Sequence, residues 1–87
     1  MKEIRVLGIY INDRLDTAKL VQATLTKFGC SIKTRLGLHE VIDELCSTSG
    51  LILLELTGDV NEAIKLENEL LKIEGVQVEK MIFKVGM

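Results

Sequence analysis

The chain contains no proline and no tryptophan, three aromatic residues in all, two cysteines, and no strong bias of charge. Each shortage excludes something. Without proline, and with no low-complexity segment or linker, nothing divides the 87 residues, so one small domain around one core is expected. Tyr10, Phe28 and Phe83 are the only aromatics, and they form no platform on which bases would stack. The 11 basic and 13 acidic residues are interspersed, for a net charge of −2. The clustered basic footprint of a nucleic-acid binder is missing, which disfavours direct DNA or RNA binding. Uninterrupted apolar runs reach only four residues, as in Leu51–Leu54, against the ~20 that a membrane-spanning helix needs. The opening MKEIRV lacks the apolar centre of a signal peptide. Two cysteines outside any recognisable framework suit a reducing compartment. Neither GxGxxG nor GxxxxGK[ST] occurs, so no phosphate-binding loop is expected. A cytoplasmic protein without nucleic-acid or membrane contacts is the starting expectation.

What the chain does have is apolar surface. Hydrophobic residues make up 47% of it, with a mean hydropathy of +0.27. A domain of this size buries only about 60–65% of its unfolded surface. The surplus needs a cover, and another copy of the same fold is the simplest one. A dimer or tetramer is expected.

The chain also repeats its own punctuation. Asp13, Asp16 and Gly29 are matched by Asp59, Glu62 and Gly75, each 46 positions on. An acceptor at the N-cap followed three residues later by an acid satisfies orphan amides and suits the positive end of the helix dipole. Glycine just past the end permits the left-handed residue that closes a helix. Two helices in corresponding places follow, 14–28 and Val60 to about Glu74, and the four acids are explained as caps.

Between these helices the chain alternates with strands. EIRVLGIYI (3–11) reads as a strand buried on both faces, with Ile4, Val6 and Tyr10 on one parity and Leu7, Ile9 and Ile11 on the other. Gly8 in its middle suggests a close backbone approach. Helix one carries Leu15, Ala18, Val21 or Gln22, Leu25 and Phe28 on its apolar stripe. From Cys30 to Leu38, apolar and polar residues alternate as in a half-buried strand, placing Cys30 inward as a structural thiol. His39–Ser49 has no counterpart in the repeat and reads as an irregular connection, with one amphipathic helical turn through Val41, Ile42 and Leu45 or an extension of the strand into a hairpin as the alternatives. GLILLELTG (50–58) is a second central strand. Helix two buries Val60, Ala63, Leu66 or Glu67, Leu70 and Ile73, with Ile64 and Leu71 widening the stripe. In VQVEKMIFKV (76–85) the apolar parity switches between Val78 and Met81, suggesting a bulge near Glu79–Lys80.

The order is βαββαβ. It predicts an α+β, ferredoxin-like fold: a four-stranded antiparallel sheet in the order 4-1-3-2, with two helices on one face. The helices leave the other sheet face open.

Chemistry-bearing residues are few. A Cys46–His39 nucleophile pair lacks an orienting partner and an oxyanion-hole turn, so no enzyme is expected. His39, Asp43, Glu44 and Cys46 cluster within eight residues and are types that Zn or Ni accepts. His39 and Cys46 are therefore the candidate metal ligands, completed across a subunit interface, against the plainer reading of a polar loop. No cofactor is required. The Asn12–Arg14 turn and the Gly58–Val60 turn present amides at helix N-termini that suit a small anion.

The run GIYINDRLDTAKLVQATLTKFGCSIKTRLG resembles the first half of ACT domains, small regulatory modules that bind amino acids between paired copies. The Pro-Gly usual after the Asp is absent here. Gly8-Ile9, Asp13-Arg14, Arg35-Leu36-Gly37-Leu38, Leu51–Gly58 with Asp59, and Glu74-Gly75-Val76 are similar to the layout of stand-alone ACT-like proteins described as regulators of iron-only hydrogenase systems. The C-terminal domain of nickel-responsive regulators is a more distant likeness. The resemblance implies an ACT-like, non-enzymatic, homo-oligomeric regulator that senses an amino acid or other small metabolite at a subunit interface. Asn12, Asp13 and Arg14 are the ligand-binding candidates it implies.

Overall fold

A computed structural model describes residues 2–12, 15–42 and 45–86, with backbone alone at residue 15 and over 38–42 and 45–49. Four strands and two helices follow in the order β1 (Lys2–Ile11), α1 (Leu15–Lys27), β2 (Ile32–Ile42), β3 (Leu45–Leu56), α2 (Val60–Leu71) and β4 (Val76–Val85). The strands form one antiparallel sheet in the order β2-β3-β1-β4. This is the ferredoxin-like plan, with the two apolar strands in its centre.

One face of the sheet and one stripe of each helix make the core. Leu7, Ile9 and Ile11 of β1 and Ile52, Leu54 and Leu56 of β3 meet Val21, Leu25 and Phe28 from the first helical region and Ala63, Leu66 and Leu70 from the second. On the opposite parity, Tyr10, Leu36, Leu51, Met81, Phe83 and Val85 remain 37–53% exposed. The sheet thus has one dry face and one open apolar face.

Several elements differ from the sequence reading. Residues on both sides of 43–44 are strand rather than irregular: β2 runs to Ile42, β3 starts at Leu45, and Val41 pairs with Cys46. The ladder of β1 ends at Ile11 opposite Gly50, so this hairpin continues past the sheet and stretches the molecule to 49 × 23 × 18 Å. Cys30 is exposed and sits in a 3₁₀ turn, Gly29–Ser31, because the chain makes one more tight turn before β2 begins. Gly29 accordingly has no left-handed backbone, whereas Gly75 has φ +89°. No bulge occurs in β4, whose register with β1 is unbroken from Lys2–Val85 to Ile11–Val76. Its apolar parity switches because Val76 and Val78 pack against the core while Met81 and Phe83 lie on the open face. The irregularities lie in β2 instead, between Ile32 and Thr34 and between His39 and Val41.

Helix α2 ends at Leu71, short of Glu74, and Val60, Ile64 and Leu71 are exposed rather than part of the buried stripe. Thr17, which is not part of the apolar stripe read for helix one, is buried. The cap at Asp59 is formed as expected: its carboxylate accepts from the Asn61 amide at 2.8 Å. Gly8 meets nothing closer than ordinary contact.

Candidate functional site

The corner where β1 ends and the α2–β4 turn passes is built from both halves of the chain. The Asn12 amide donates to the Gly75 carbonyl at 3.1 Å. The Thr17 hydroxyl donates to the Glu74 carbonyl at 3.4 Å. Gly75 is required here twice over, by its positive φ and by proximity, since a Cβ would fall 2.2 Å from Asn12 Nδ2. The Asn12 side chain thus lies against the α2–β4 turn. Asp13 and Arg14, predicted beside it, lie outside the described residues, as do Asp43 and Glu44.

The other predicted pair belongs to the projecting hairpin. The backbone of His39 is opposite Gly50 in β3, and that of Cys46 is opposite Val41 in β2. They occupy adjacent strands of one hairpin at different rungs of the ladder, and their side chains lie outside what is described. Among the described residues, no three His, Cys, Asp or Glu side chains gather as a metal site would require.

At the far end of β1 lies a feature of which the sequence reading singled out only the Gly58–Val60 turn. A cavity of about 330 Å³ is lined by Lys2, Glu3, Ile4 and Arg5 of β1, Lys33 of β2, Glu55 and Leu56 of β3, the Thr57–Asp59 turn, and Val60 and Ala63 of α2. The turn closes through the positive φ of Gly58, +83°. Arg5 is buried to 8% exposure. It donates from Nε and Nη2 to Glu3 Oε2 at 3.2 and 3.0 Å, and its Nη1 is 3.9 Å from Glu67 Oε1. Glu67 also accepts from Lys80 at 3.2 Å. The alternating charges Glu3, Arg5, Glu67 and Lys80 therefore tie β1, α2 and β4 together. A buried charge held this way keeps its place because it is paired, and loses it if one partner goes. The signal for Arg5 was available: it shares the parity of Leu7, Ile9 and Ile11 inside an apolar run.

An antiparallel four-stranded sheet in the order β2-β3-β1-β4 with both helices on one face is a ferredoxin-like, ACT-type fold. Solved structures agree. An uncharacterized protein from Thermotoga maritima is 26% identical with a TM-score of 0.79, over 95% of this chain and all of that one. The ACT domain of GTP pyrophosphokinase from Chlorobium tepidum matches with a TM-score of 0.63 at 18% identity, covering 90% of this chain and 96% of the domain. CPII, a nitrogen regulatory PII-like protein from Thiomonas intermedia K12, matches with a TM-score of 0.59 at 13% identity, over 99% and 95% of the two chains. No family model and no curated protein sequence matches the chain.

Proposed function

We propose that this domain is a non-enzymatic, homo-oligomeric regulatory module that senses a small ligand at a subunit interface. The observation that carries the reading is the β1–α1 corner, where Asn12 is fixed by the α2–β4 turn and Asp13 and Arg14 follow at once in sequence. In this reading Arg14 and the helix amides receive an anionic group and Asp13 receives a cationic one, which suits an amino acid or another small metabolite. The open apolar sheet face supports self-association, because contiguous apolar patches of this kind mark interaction sites. ACT and PII-like neighbours support the regulatory class, and the likeness to hydrogenase-system regulators supports a cytoplasmic role beside an iron-only hydrogenase. CPII has been solved bound to ADP, AMP and acetate, so adenine nucleotides belong in the test set beside the amino acids.

Thermal unfolding with a panel of amino acids, adenine nucleotides and small carboxylates tests the proposal. A ligand at a hundred times its Kd adds about 2.7 kcal/mol of stability. Asp13→Asn, which keeps a capping acceptor, and Arg14→Ala should abolish that shift and leave the unliganded Tm near its original value. A panel with no shift overturns ligand sensing. A metal-binding regulator using His39 and Cys46 is the second reading, favoured by their place on adjacent strands of one hairpin. Zn or Ni found in untagged protein and lost on Cys46→Ala would establish it.

A further inference from the structure

Lys2, Glu3 and Ile4 of β1 have a strand on one side only. They pair with Val85, Lys84 and Phe83 of β4, whereas the ladder with β3 stops at Arg5–Leu56. Beyond Leu56 the chain leaves the sheet through the turn closed by Gly58 and enters α2. One corner of the sheet is therefore missing. The 330 Å³ cavity lies in that notch, lined by the same three β1 residues and by the turn. In an antiparallel ladder the main-chain groups of successive residues point alternately to the two neighbouring strands. The Asn12 amide reaches the Gly75 carbonyl on the β4 side, and β1 keeps register with β4 without a break from Lys2 to Ile11. Even-numbered residues of β1 thus turn their main chain to β4 and odd-numbered ones to β3. The Thr57 amide, donated to the Ser31 carbonyl on the β2 side, gives the same phase, because its neighbour Leu56 then faces Arg5. Glu3 accordingly presents its N–H and C=O to the notch, where no described residue pairs with them.

The charges around the notch balance, Lys2, Arg5 and Lys33 against Glu3, Glu55 and Asp59. Arg5 and Glu3 hold each other at 3.0 Å, and Asp59 holds the Asn61 amide. Lys2 is exposed and enters no ion pair among the described residues. Glu55 has only a loose contact with Lys33, 3.7 Å between side chains 34% and 59% exposed. Lys2 stands at the open end of the notch and Glu55 at its closed end, beside Leu56. Free charge of both signs, one unpaired strand residue between them and an apolar wall of Ile4, Leu56 and Ala63 describe the complement of an extended peptide. We propose that the notch binds a short free peptide of two or three residues, at a site separate from the β1–α1 corner. One peptide residue bonds the main chain of Glu3 as a continued β3 would have done. The peptide runs in the direction of β3, antiparallel to β1, with its ammonium by Glu55 and its carboxylate by Lys2. The three rungs from Arg5 to Lys2 span ~10 Å at about 3.3 Å per residue, and the cavity is at the small end of the range for ligand sites. Both limit the length. The site lies within one subunit and needs neither a second copy nor the ligand of the reading above.

Titration of the full chain with dialanine and trialanine, followed by amide NMR, tests it. The Glu3 and Thr57 amides should shift saturably, while those of Asn12 and Gly75 at the other end of β1 should not. Lys2→Glu should weaken binding about tenfold, the worth of one charge-assisted hydrogen bond. Val60→Trp, at an exposed position on the cavity lining, should close the notch and abolish binding, with circular dichroism confirming that each variant is folded. N-acetylation or C-terminal amidation of the peptide should each weaken binding. If either blocked form binds as well as the free peptide, the occupant is a protein terminus and the assignment of a free peptide falls. No shift of the Glu3 amide at millimolar peptide overturns the proposal, as do shifts confined to the Asn12 corner or unchanged affinity in both variants. A metabolite panel without effect would sink ligand sensing at the β1–α1 corner and leave this site standing, and a failed peptide titration would do the reverse.

Discussion

The two halves of the chain repeat Asp, an acid and Gly at one offset in sequence but do not bury the same helical positions. Leu66 is fully buried, while Leu20, 46 positions earlier, is 56% exposed. Leu25 is buried, while Leu71, 46 positions later, is 54% exposed. Val21 is a buried plug in α1, and its counterpart Glu67 is the hub that holds Arg5 and Lys80. The halves begin their buried stripes together, at Thr17 and Ala63, then diverge: 21 and 25 in one, 66 and 70 in the other. Caps fix where a helix starts and stops, but what it lies on fixes how it is rotated. Here the rotation of α2 turns its spare leucine and isoleucine toward the β4 edge.

The comparison breaks most visibly at the leucines. Leu66→Ala should cost about 2–5 kcal/mol in urea unfolding, and Leu20→Ala within about 0.5 kcal/mol. Leu25→Ala and Leu71→Ala should show the reverse order by half. Equal costs within either pair would mean that the two helices sit alike after all.

The glycines that end the repeats give the next contrast. Gly75→Ala meets both a left-handed backbone and the Asn12 side chain, for a loss of about 2–3 kcal/mol. Gly29 has open space around it and no positive φ, so Gly29→Ala should change stability by less than about 0.5 kcal/mol. Chemical denaturation of both variants, read beside each other, checks this.

The smallest effect concerns the charged hub. Glu67→Gln should cost about 1–2 kcal/mol, because Arg5 then keeps only Glu3. Adding Arg5→Met in the same chain should recover part of that loss, and strict additivity in the double-mutant cycle would show that the pair is not coupled.

Much of the fold was legible because its determinants are local. The capping acid Asp59, Gly75 and the doubly apolar strands around Leu7 and Leu54 each announce themselves within a few residues. The hairpin was legible only as one alternative among several, since Val41, Ile42 and Leu45 are also spaced as in a helical turn and no Gly, Asn or Pro marks a bend. What extends those strands is the ladder already formed by Leu36–Leu53 and its neighbours. Cys30 was misplaced because alternation in sequence looks the same in a strand and in a tight turn that precedes one. Of the site, Asn12 was found as a turn residue, but its bond to Gly75 joins distant parts of the chain and has no local signature. Arg5 carried the opposite signal, a charge on a buried parity, which points to partners without naming them.

The pairing of β1 with β3 and β4 has a consequence for how the chain assembles. β1 is synthesised before both of the strands it pairs with, through Gly50–Leu56 and Val76–Val85, so most of its loops close late. Non-local pairing of this kind slows folding relative to helical domains of equal stability. Until the last strand emerges, Leu7, Ile9 and Ile11 have no finished sheet to join, and the half-made domain exposes the surface on which misassembly begins. Refolding should therefore be limited by docking of the C-terminal strand, and losses in yield should rise steeply with protein concentration.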